Sequence, residues 1–226
     1  MKPGYAHITM VVDRSGSMGG IRGKAEEGVN GFIAAHKAAP GTCTFLLRQF
    51  DENQDLVYGP GPIGDLRDSY VLEPRGMTAL FDAVGIAITE TGEYLSKMSE
   101  ADRPEKVIFV VQTDGEENAS KEYTDKRITQ MVKHQQEVYS WEILFLGADL
   151  SMAKRMGILD VHTSGTSNTN AAYAASFAVN TASTLGSRAA GATSFNYTGN
   201  IILPDGTVQT IGNDDDDPDA GVLAKV

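Results

Sequence analysis

Hydrophobic residues along this chain gather in short runs, and longer segments with helical periodicity lie between those runs. Four runs are almost continuously apolar, as strands covered on both faces of a sheet require. They span His7–Asp13, Thr42–Asp51, Lys106–Thr113 and Trp141–Gly147. A shorter run, Asp55–Tyr58, follows the second after a tight polar turn and predicts an antiparallel edge strand.

Five further segments have the residue spacing of helices that bury one face. They span Ile21–Ala39, Ala79–Lys97, Thr124–Val138, Met152–Gly157 and Asn168–Arg188. Alternation of such helices with apolar strands is typical of an α/β fold built on a mostly parallel sheet.

The composition changes beyond about Ala190, where Gly, Thr, Ser and Asn dominate. The β-prone segments Ile201–Leu203 and Thr207–Ile211 flank the turn sequence Pro204-Asp205-Gly206, which predicts a hairpin. Five aspartates follow within residues 214–219. We therefore expect one domain over residues 1–188, followed by a β-hairpin extension and an acidic tail over residues 189–226.

The charge balance limits the partners that the chain can attract. Formal net charge is −11, and five of these excess negative charges belong to the aspartates of the tail. A field of this sign repels phosphate backbones and anionic lipid headgroups, so we expect no nucleic-acid partner and no membrane partner. The single cysteine, Cys43, cannot form an intrachain disulfide, and no signal peptide is recognisable. We expect a cytoplasmic protein.

Oxygen-bearing side chains occur in three loops next to these elements. Asp13, Ser15 and Ser17 follow the first strand, Thr78 precedes the second helix, and Asp114 follows the strand Lys106–Thr113. Open α/β sheets bind ligands beyond the carboxyl ends of their strands, so the loops should meet at one edge. Hard cations such as Mg²⁺ take oxygen ligands, and hydroxyls with few carboxylates leave coordination positions for water and for an incoming anion.

Three motifs in this order resemble the metal-ion-dependent adhesion site of von Willebrand factor A (vWA) domains. They are Asp13-x-Ser15-x-Ser17, Gly76-Met77-Thr78 and Thr113-Asp114-Gly115, and the resemblance covers residues 5–185. Phe145-Leu146-Gly147-Ala148-Asp149 is similar to the later part of stand-alone prokaryotic and phage members.

This resemblance implies a three-layer αβα, Rossmann-like fold and a site for Mg²⁺, or for Mn²⁺ or Ca²⁺. The implied ligands are Asp13, Ser15, Ser17, Thr78 and Asp114. It further implies that a Glu or Asp of a partner protein completes the coordination. We expect a binding module rather than an enzyme, in a bacterial or phage-infected cell or in a virion.

Other interpretations of these residues stay open at this point. Asp13 and Ser15 could be turn residues, and Thr78 could simply cap its helix. A metal-dependent phosphohydrolase could use Glu116 or Glu117 as a base, and a structural protein could dock through the C-terminal extension into a larger assembly.

Two further motifs carry less weight. Gly59–Gly64 is spelled like a dinucleotide-binding loop, but its prolines favour a turn. Asp51–Asp55 begins like a calcium loop, but Leu56 replaces the required glycine.

Overall fold

The computed structural model describes residues 1–114, 116–147, 150–158, 170–190, 199–202 and 208–211. The main sheet consists of β1 (Lys2–Asp13), β2 (Thr42–Phe50), β3 (Gln54–Pro62), β4 (Pro104–Gln112) and β5 (Glu142–Leu146). The strand order is β3-β2-β1-β4-β5, and only the pair of β2 and β3 is antiparallel. The expected mostly parallel sheet with one antiparallel edge strand is confirmed.

Helices cover both faces of this sheet. They are α1 (Arg22–Ala38), α2 (Leu80–Ser96), α3 (Asp125–Tyr139), α4 (Leu150–Arg155) and α5 (Asn170–Ala190). Met10 and Val12 of β1 pack in one buried cluster with α1 and α5, whereas Val11 packs in another with α2, α3 and α4. Successive side chains of a strand point to opposite faces, so a continuously apolar strand fills both layers. The three-layer αβα fold follows from this pattern.

Helices α1 and α5 lie close together and are joined by polar contacts. A Cβ atom at Gly28 of α1 would lie 2.4 Å from Cδ2 of Phe177, so glycine permits the close approach. His36 of α1 forms a 2.9 Å hydrogen bond with the Thr184 hydroxyl and accepts another of 2.9 Å from the Arg188 guanidinium at Nδ1. Because the guanidinium can only donate, His36 must be neutral and must carry its proton on Nε2.

The edge strand β3 corrects one expectation. The segment Gly59-Pro60-Gly61-Pro62, which we interpreted as a turn, belongs to β3 and pairs with β2. That interpretation is wrong because a strand at the edge of a sheet needs no amide donors on its outer side and therefore tolerates proline. The register shifts on both sides of Leu47 accommodate the irregular backbone of this segment.

The C-terminal part contains the expected hairpin. Strands β6 (Gly199–Ile202) and β7 (Val208–Ile211) pair antiparallel, with Gly199 opposite Ile211. The turn Pro204-Asp205-Gly206 and the aspartates of residues 214–219 lie outside the described residues. Internal contacts divide the chain into two compact units, Met1–Gly191 and Ala192–Val226. Within the described residues, no helix is long and apolar enough to cross a membrane.

Acidification should destabilise the domain through His36. Burial, reinforced by the charge of Arg188, lowers the pKa of His36 to about 3, whereas an unfolded chain has a histidine pKa of about 6.5. Between these two pKa values, His36 is protonated in the unfolded state but stays neutral in the native state. The contribution of His36 to stability is therefore complete above the unfolded pKa and is lost as the pH falls toward the folded pKa. From pH 7 to pH 5 we expect His36 alone to lower the free energy of unfolding by ~2 kcal/mol.

Urea unfolding of the wild type and of His36→Gln at both pH values measures this contribution. Burial also lowers the pKa of His7 to about 3, but His7 is present in both proteins and its contribution cancels. The glutamine variant should lose less stability on acidification by the amount assigned to His36. Equal losses in the two proteins would contradict the assignment.

Candidate metal centre

Asp13 lies at the carboxyl end of β1 and is completely buried. Its Oδ1 accepts a 2.6 Å hydrogen bond from the Ser15 amide, and its Oδ2 accepts one of 2.5 Å from the Thr113 hydroxyl. Thr113 directly follows β4, the neighbour of β1 in the sheet. The carboxylate therefore joins the ends of two parallel strands, as the position of these residues after the strands predicts.

The two serines and Asp114 continue this network toward the solvent. The hydroxyls of Ser15 and Ser17 lie 3.0 Å apart, and Ser17 donates a 2.9 Å hydrogen bond to Oδ1 of Asp114. Ser15 is buried, whereas Ser17 is exposed. Four of the five predicted ligands thus belong to one hydrogen-bonded chain, which starts at the buried Asp13 and opens to solvent at Ser17.

Thr78 lies in a segment without regular secondary structure, between the other two loops. The Gly16 amide donates a 3.2 Å hydrogen bond to the carbonyl of Gly76 in this segment. On the other side, the Thr78 amide donates to the Asn118 side chain at 2.9 Å, and the Thr78 carbonyl accepts from the Asn118 amide at 3.0 Å. The side chain of Thr78 is buried. Together with the contacts of Asp13 and Ser17, these bonds close the three loops into a ring at one edge of the sheet.

Other residues perform the capping for which Thr78 was a candidate. Helix α2 begins at Leu80, and its first amides donate to the Glu117 carboxylate from Phe81 and to the Ser120 hydroxyl from Asp82. Thr78 precedes the N-cap residue, Ala79, as expected. The capping interpretation of Thr78 is therefore wrong.

The Glu117 carboxylate is engaged in building this loop. In addition to the Phe81 amide, it accepts hydrogen bonds from the amides of Ala119 and Ser120 and from the Ser120 hydroxyl, at 2.7–3.0 Å. A carboxylate with four donors around it is fixed in place. Glu116, the other acidic residue of this loop, is exposed.

Two buried carboxylates at this edge have opposite electrostatic surroundings. Burial raises the pKa of Asp13 to about 6, since hydrogen bonds from Thr113 and Ser15 only partly compensate, and Asp114 adds a negative charge nearby. Burial also raises the pKa of Asp114. Asp51 directly follows the adjacent strand β2 and is buried as well, but hydrogen bonds from Arg75 and Asn53 and the charge of Arg14 outweigh burial and lower its pKa. Asp51 has positively charged partners within the protein, whereas the donors to Asp13 among the described residues, Ser15 and Thr113, are neutral.

The donor set fits a hard divalent cation. Two carboxylates and three hydroxyls offer only oxygen atoms, which is the ligand chemistry of Mg²⁺ and Ca²⁺. Across the described part of the chain, no three His, Cys, Asp or Glu side chains form a group that could hold a metal ion. A cation at this edge would therefore depend on the serine and threonine hydroxyls, and its positive charge would provide what the surroundings of Asp13 lack.

The residues that support the predicted ligands could not be assigned this role from the sequence. Asn118 holds the segment of Thr78, Glu117 binds the first turn of α2, Thr113 binds Asp13, and Asp51 contacts two loops at once. One signal was available for Asp51, because it directly follows a buried strand, as Asp13 does. The others are ordinary loop residues whose partners are distant in sequence.

Comparisons with known proteins agree on the fold. No protein-family model matches the sequence, and no curated protein matches it. The solved von Willebrand factor type A protein from Catenulispora acidiphila is 17% identical, with a TM-score of 0.53 over 80% of this chain and 42% of that one. The pilus adhesin SpaC from Lactobacillus rhamnosus GG is 16% identical, with a TM-score of 0.58 over 82% of this chain and 30% of that one.

A third solved structure, proximal thread matrix protein 1 from the mussel byssus, is 17% identical. Its TM-score is 0.50, over 71% of this chain and 42% of that one. The chain thus spans less than half the length of each of these three proteins. At these identities the likeness concerns the fold alone, and the fold is that of a vWA domain.

Replacing Gly76 by alanine should destabilise the ring of loops. Gly76 has φ +68, and a Cβ atom there would lie 1.9 Å from Oε2 of Glu52, the atom that accepts the Met77 amide. The left-handed backbone conformation costs a residue with a Cβ atom ~1–2 kcal/mol, before any displacement of Glu52. We expect urea unfolding of Gly76→Ala to show a loss of at least this size.

Gly19→Ala is the matched control for this substitution. Gly19 lies in the first loop, has no positive φ, and a Cβ atom there would meet no atom within 4 Å. The control should lose much less stability than Gly76→Ala. If the two variants are equally stable, the Gly76 backbone is not constrained as described.

Proposed function

We propose that this chain is a divalent-cation-dependent protein-binding module with a metal-ion-dependent adhesion site. Asp13, Ser15, Ser17, Thr78 and Asp114 would hold Mg²⁺, or Mn²⁺ or Ca²⁺, and a Glu or Asp side chain of a partner protein would bind there. The observation that carries the proposal is the hydrogen-bonded chain from the buried Asp13 through both serines to Asp114.

The arrangement of the donors favours capture of an external anion. Two of the five side chains carry a negative charge and formally balance a divalent cation, while the three hydroxyls are neutral. Coordination positions that these oxygens leave open could therefore accept a further carboxylate. Ser17 is exposed, which leaves this end of the site accessible to a partner. Asp13, Ser15 and Thr78 are buried beneath it and would fix the floor of the site.

The loop around Glu117 favours binding over hydrolysis. A hydrolytic site needs a base within hydrogen-bond reach of the water it activates. The carboxylate of Glu117 is already surrounded by four donors that fix helix α2 and its own loop. The role of Glu117 is therefore structural, and we propose that the module is not an enzyme. A structural neighbour, SpaC, is a pilus adhesin, which agrees with a role in protein binding.

Calorimetric titration with Mg²⁺ and Mn²⁺ tests the cation site. The wild type should bind one ion, and Ser17→Ala and Asp13→Asn should each weaken binding at least tenfold, because each removes one oxygen ligand or its charge. Ser96→Ala is the matched control, since Ser96 is also an exposed serine that donates one hydrogen bond, at the other end of α2. Unchanged binding in Asp13→Asn and Ser17→Ala would refute the ligand assignment.

Affinity capture tests the carboxylate-bearing partner. A partner that binds through the cation should be retained by the wild type with Mg²⁺, released by EDTA, and absent with the Ser17→Ala variant. The partner should also lose binding when one of its own Glu or Asp residues is replaced by the corresponding amide. Retention in EDTA would contradict a cation-dependent interaction.

A further inference from the structure

Asp51 connects the corner between β2 and β3 to two of the loops that carry predicted ligands. Its Oδ1 accepts hydrogen bonds from the amide and the side chain of Asn53, at 2.6 and 3.0 Å, which fix the carboxylate in one orientation. Its Oδ2 accepts from Nε of Arg14 at 2.9 Å and from Nε of Arg75 at 2.8 Å. Asp51 has no exposed surface, so water does not compete for these contacts.

Both arginines belong to the ligand loops themselves. Arg14 lies between Asp13 and Ser15, and Arg75 lies three residues before Thr78. The Arg75 amide also donates a 2.8 Å hydrogen bond to the carbonyl of Arg14. One carboxylate oxygen thus joins the first and second loops through their side chains, at the point where their backbones already meet.

The same corner also holds the backbone on both sides of Thr78. The Met77 amide donates to Oε2 of Glu52 at 2.8 Å, and the Ala79 amide donates to the carbonyl of Asp51 at 3.0 Å. The amide of Thr78, between them, donates in the other direction, to Asn118. The segment is therefore held from two sides, and the position of Thr78 depends on the corner at Asp51 and Glu52.

We propose that Asp51 is a positioning residue for the cation site, acting through Arg14 and Arg75. This inference rests on the proposed function, because it needs the site to bind a cation. Asp51 is not itself a ligand; its carboxylate contacts both guanidinium groups and sets the distance between the loop of Asp13–Ser17 and the segment of Thr78. Asp55 adds a second negative charge, 2.7 Å from a terminal nitrogen of Arg14.

The geometry distinguishes Asp51 from an ordinary stabilising ion pair. Arg48 and Glu90 also form a partly buried pair, 2.5 Å apart, between β2 and α2, but neither residue belongs to a ligand loop. Breaking either pair should cost stability. Only the loss of Asp51 should also change the affinity for the cation, because only Asp51 is connected to the loops of the ligands.

The experiment measures Mn²⁺ affinity by calorimetry at a temperature where circular dichroism shows every variant folded. The wild type, Asp13→Asn, Asp51→Asn, Arg75→Gln, Arg75→Lys and Glu90→Gln are compared. Loss of a residue that orients metal ligands commonly weakens metal affinity by about 10–100-fold, and we expect an effect of this size for Asp51→Asn. Arg75→Gln should weaken binding in the same direction, Arg75→Lys should restore part of the loss, and Glu90→Gln should bind as the wild type does.

The variants separate failure of this inference from failure of the proposed function. If Asp51→Asn and Arg75→Gln bind Mn²⁺ within twofold of the wild type while Asp13→Asn does not bind, the positioning role is refuted and the cation site stands. If the wild type itself binds no Mn²⁺, both are refuted. Arg75 is more exposed than Arg14, so Arg75→Gln decides the question if Asp51→Asn does not fold. If Glu90→Gln loses as much affinity as Asp51→Asn, the weaker Mn²⁺ binding results from general destabilisation of the domain, and the proposal is overturned.

Discussion

Two carboxylates buried at the ends of neighbouring strands set the arrangement of the loops around them. Asp13 ends β1, and Asp51 follows β2 immediately beyond the residue paired with Asp13. A buried carboxylate is strongly unfavourable unless donors surround it. Asp13 takes its donors from its own loop and from the end of β4, while Asp51 takes them from the loops of Arg14 and Arg75. Satisfying these two groups brings three loops together.

The same burial leads to different chemistry at the two positions. Two guanidinium groups compensate the negative charge of Asp51, and their contacts hold the loops of Arg14 and Arg75 in place. Asp13 has neutral donors and a second carboxylate, Asp114, in the same network. Rigid support and unbalanced negative charge thus lie side by side at one edge of the sheet. This pairing suits a site that must keep its shape while a cation and a partner bind and leave.

The fold could be predicted from the sequence because parallel strands covered on both faces are mostly apolar, and β1, β2 and β4 are buried along most of their length. The full length of β3 was not predicted. The run Asp55–Tyr58 indicated an edge strand, but Pro60 and Pro62 favoured a turn, although an edge strand tolerates proline on its unpaired side. The candidate ligands were predicted from their places in three loops and from the resemblance of the three motifs to the adhesion site of vWA domains. The residues that hold these ligands in place were not predicted. Asp51 was considered only as part of a rejected calcium-loop motif, because no residue near it in the sequence shows that Arg14 and Arg75 approach it.

The contacts of the candidate site join residues that are far apart in the chain. Asp13 and Thr113 are separated by 100 positions, Ser17 and Asp114 by 97, and Thr78 and Asn118 by 40. Such long-range contacts form only after the intervening chain has closed into place, and they form late or slowly in folding. A nascent or truncated chain that lacks β4 would therefore lack the contacts of Thr113 with Asp13 and of Asp114 with Ser17. Cation binding at this edge would require that β1 and β4 have already paired, so a partner that selects the loaded site would also select chains in which this part of the sheet has formed.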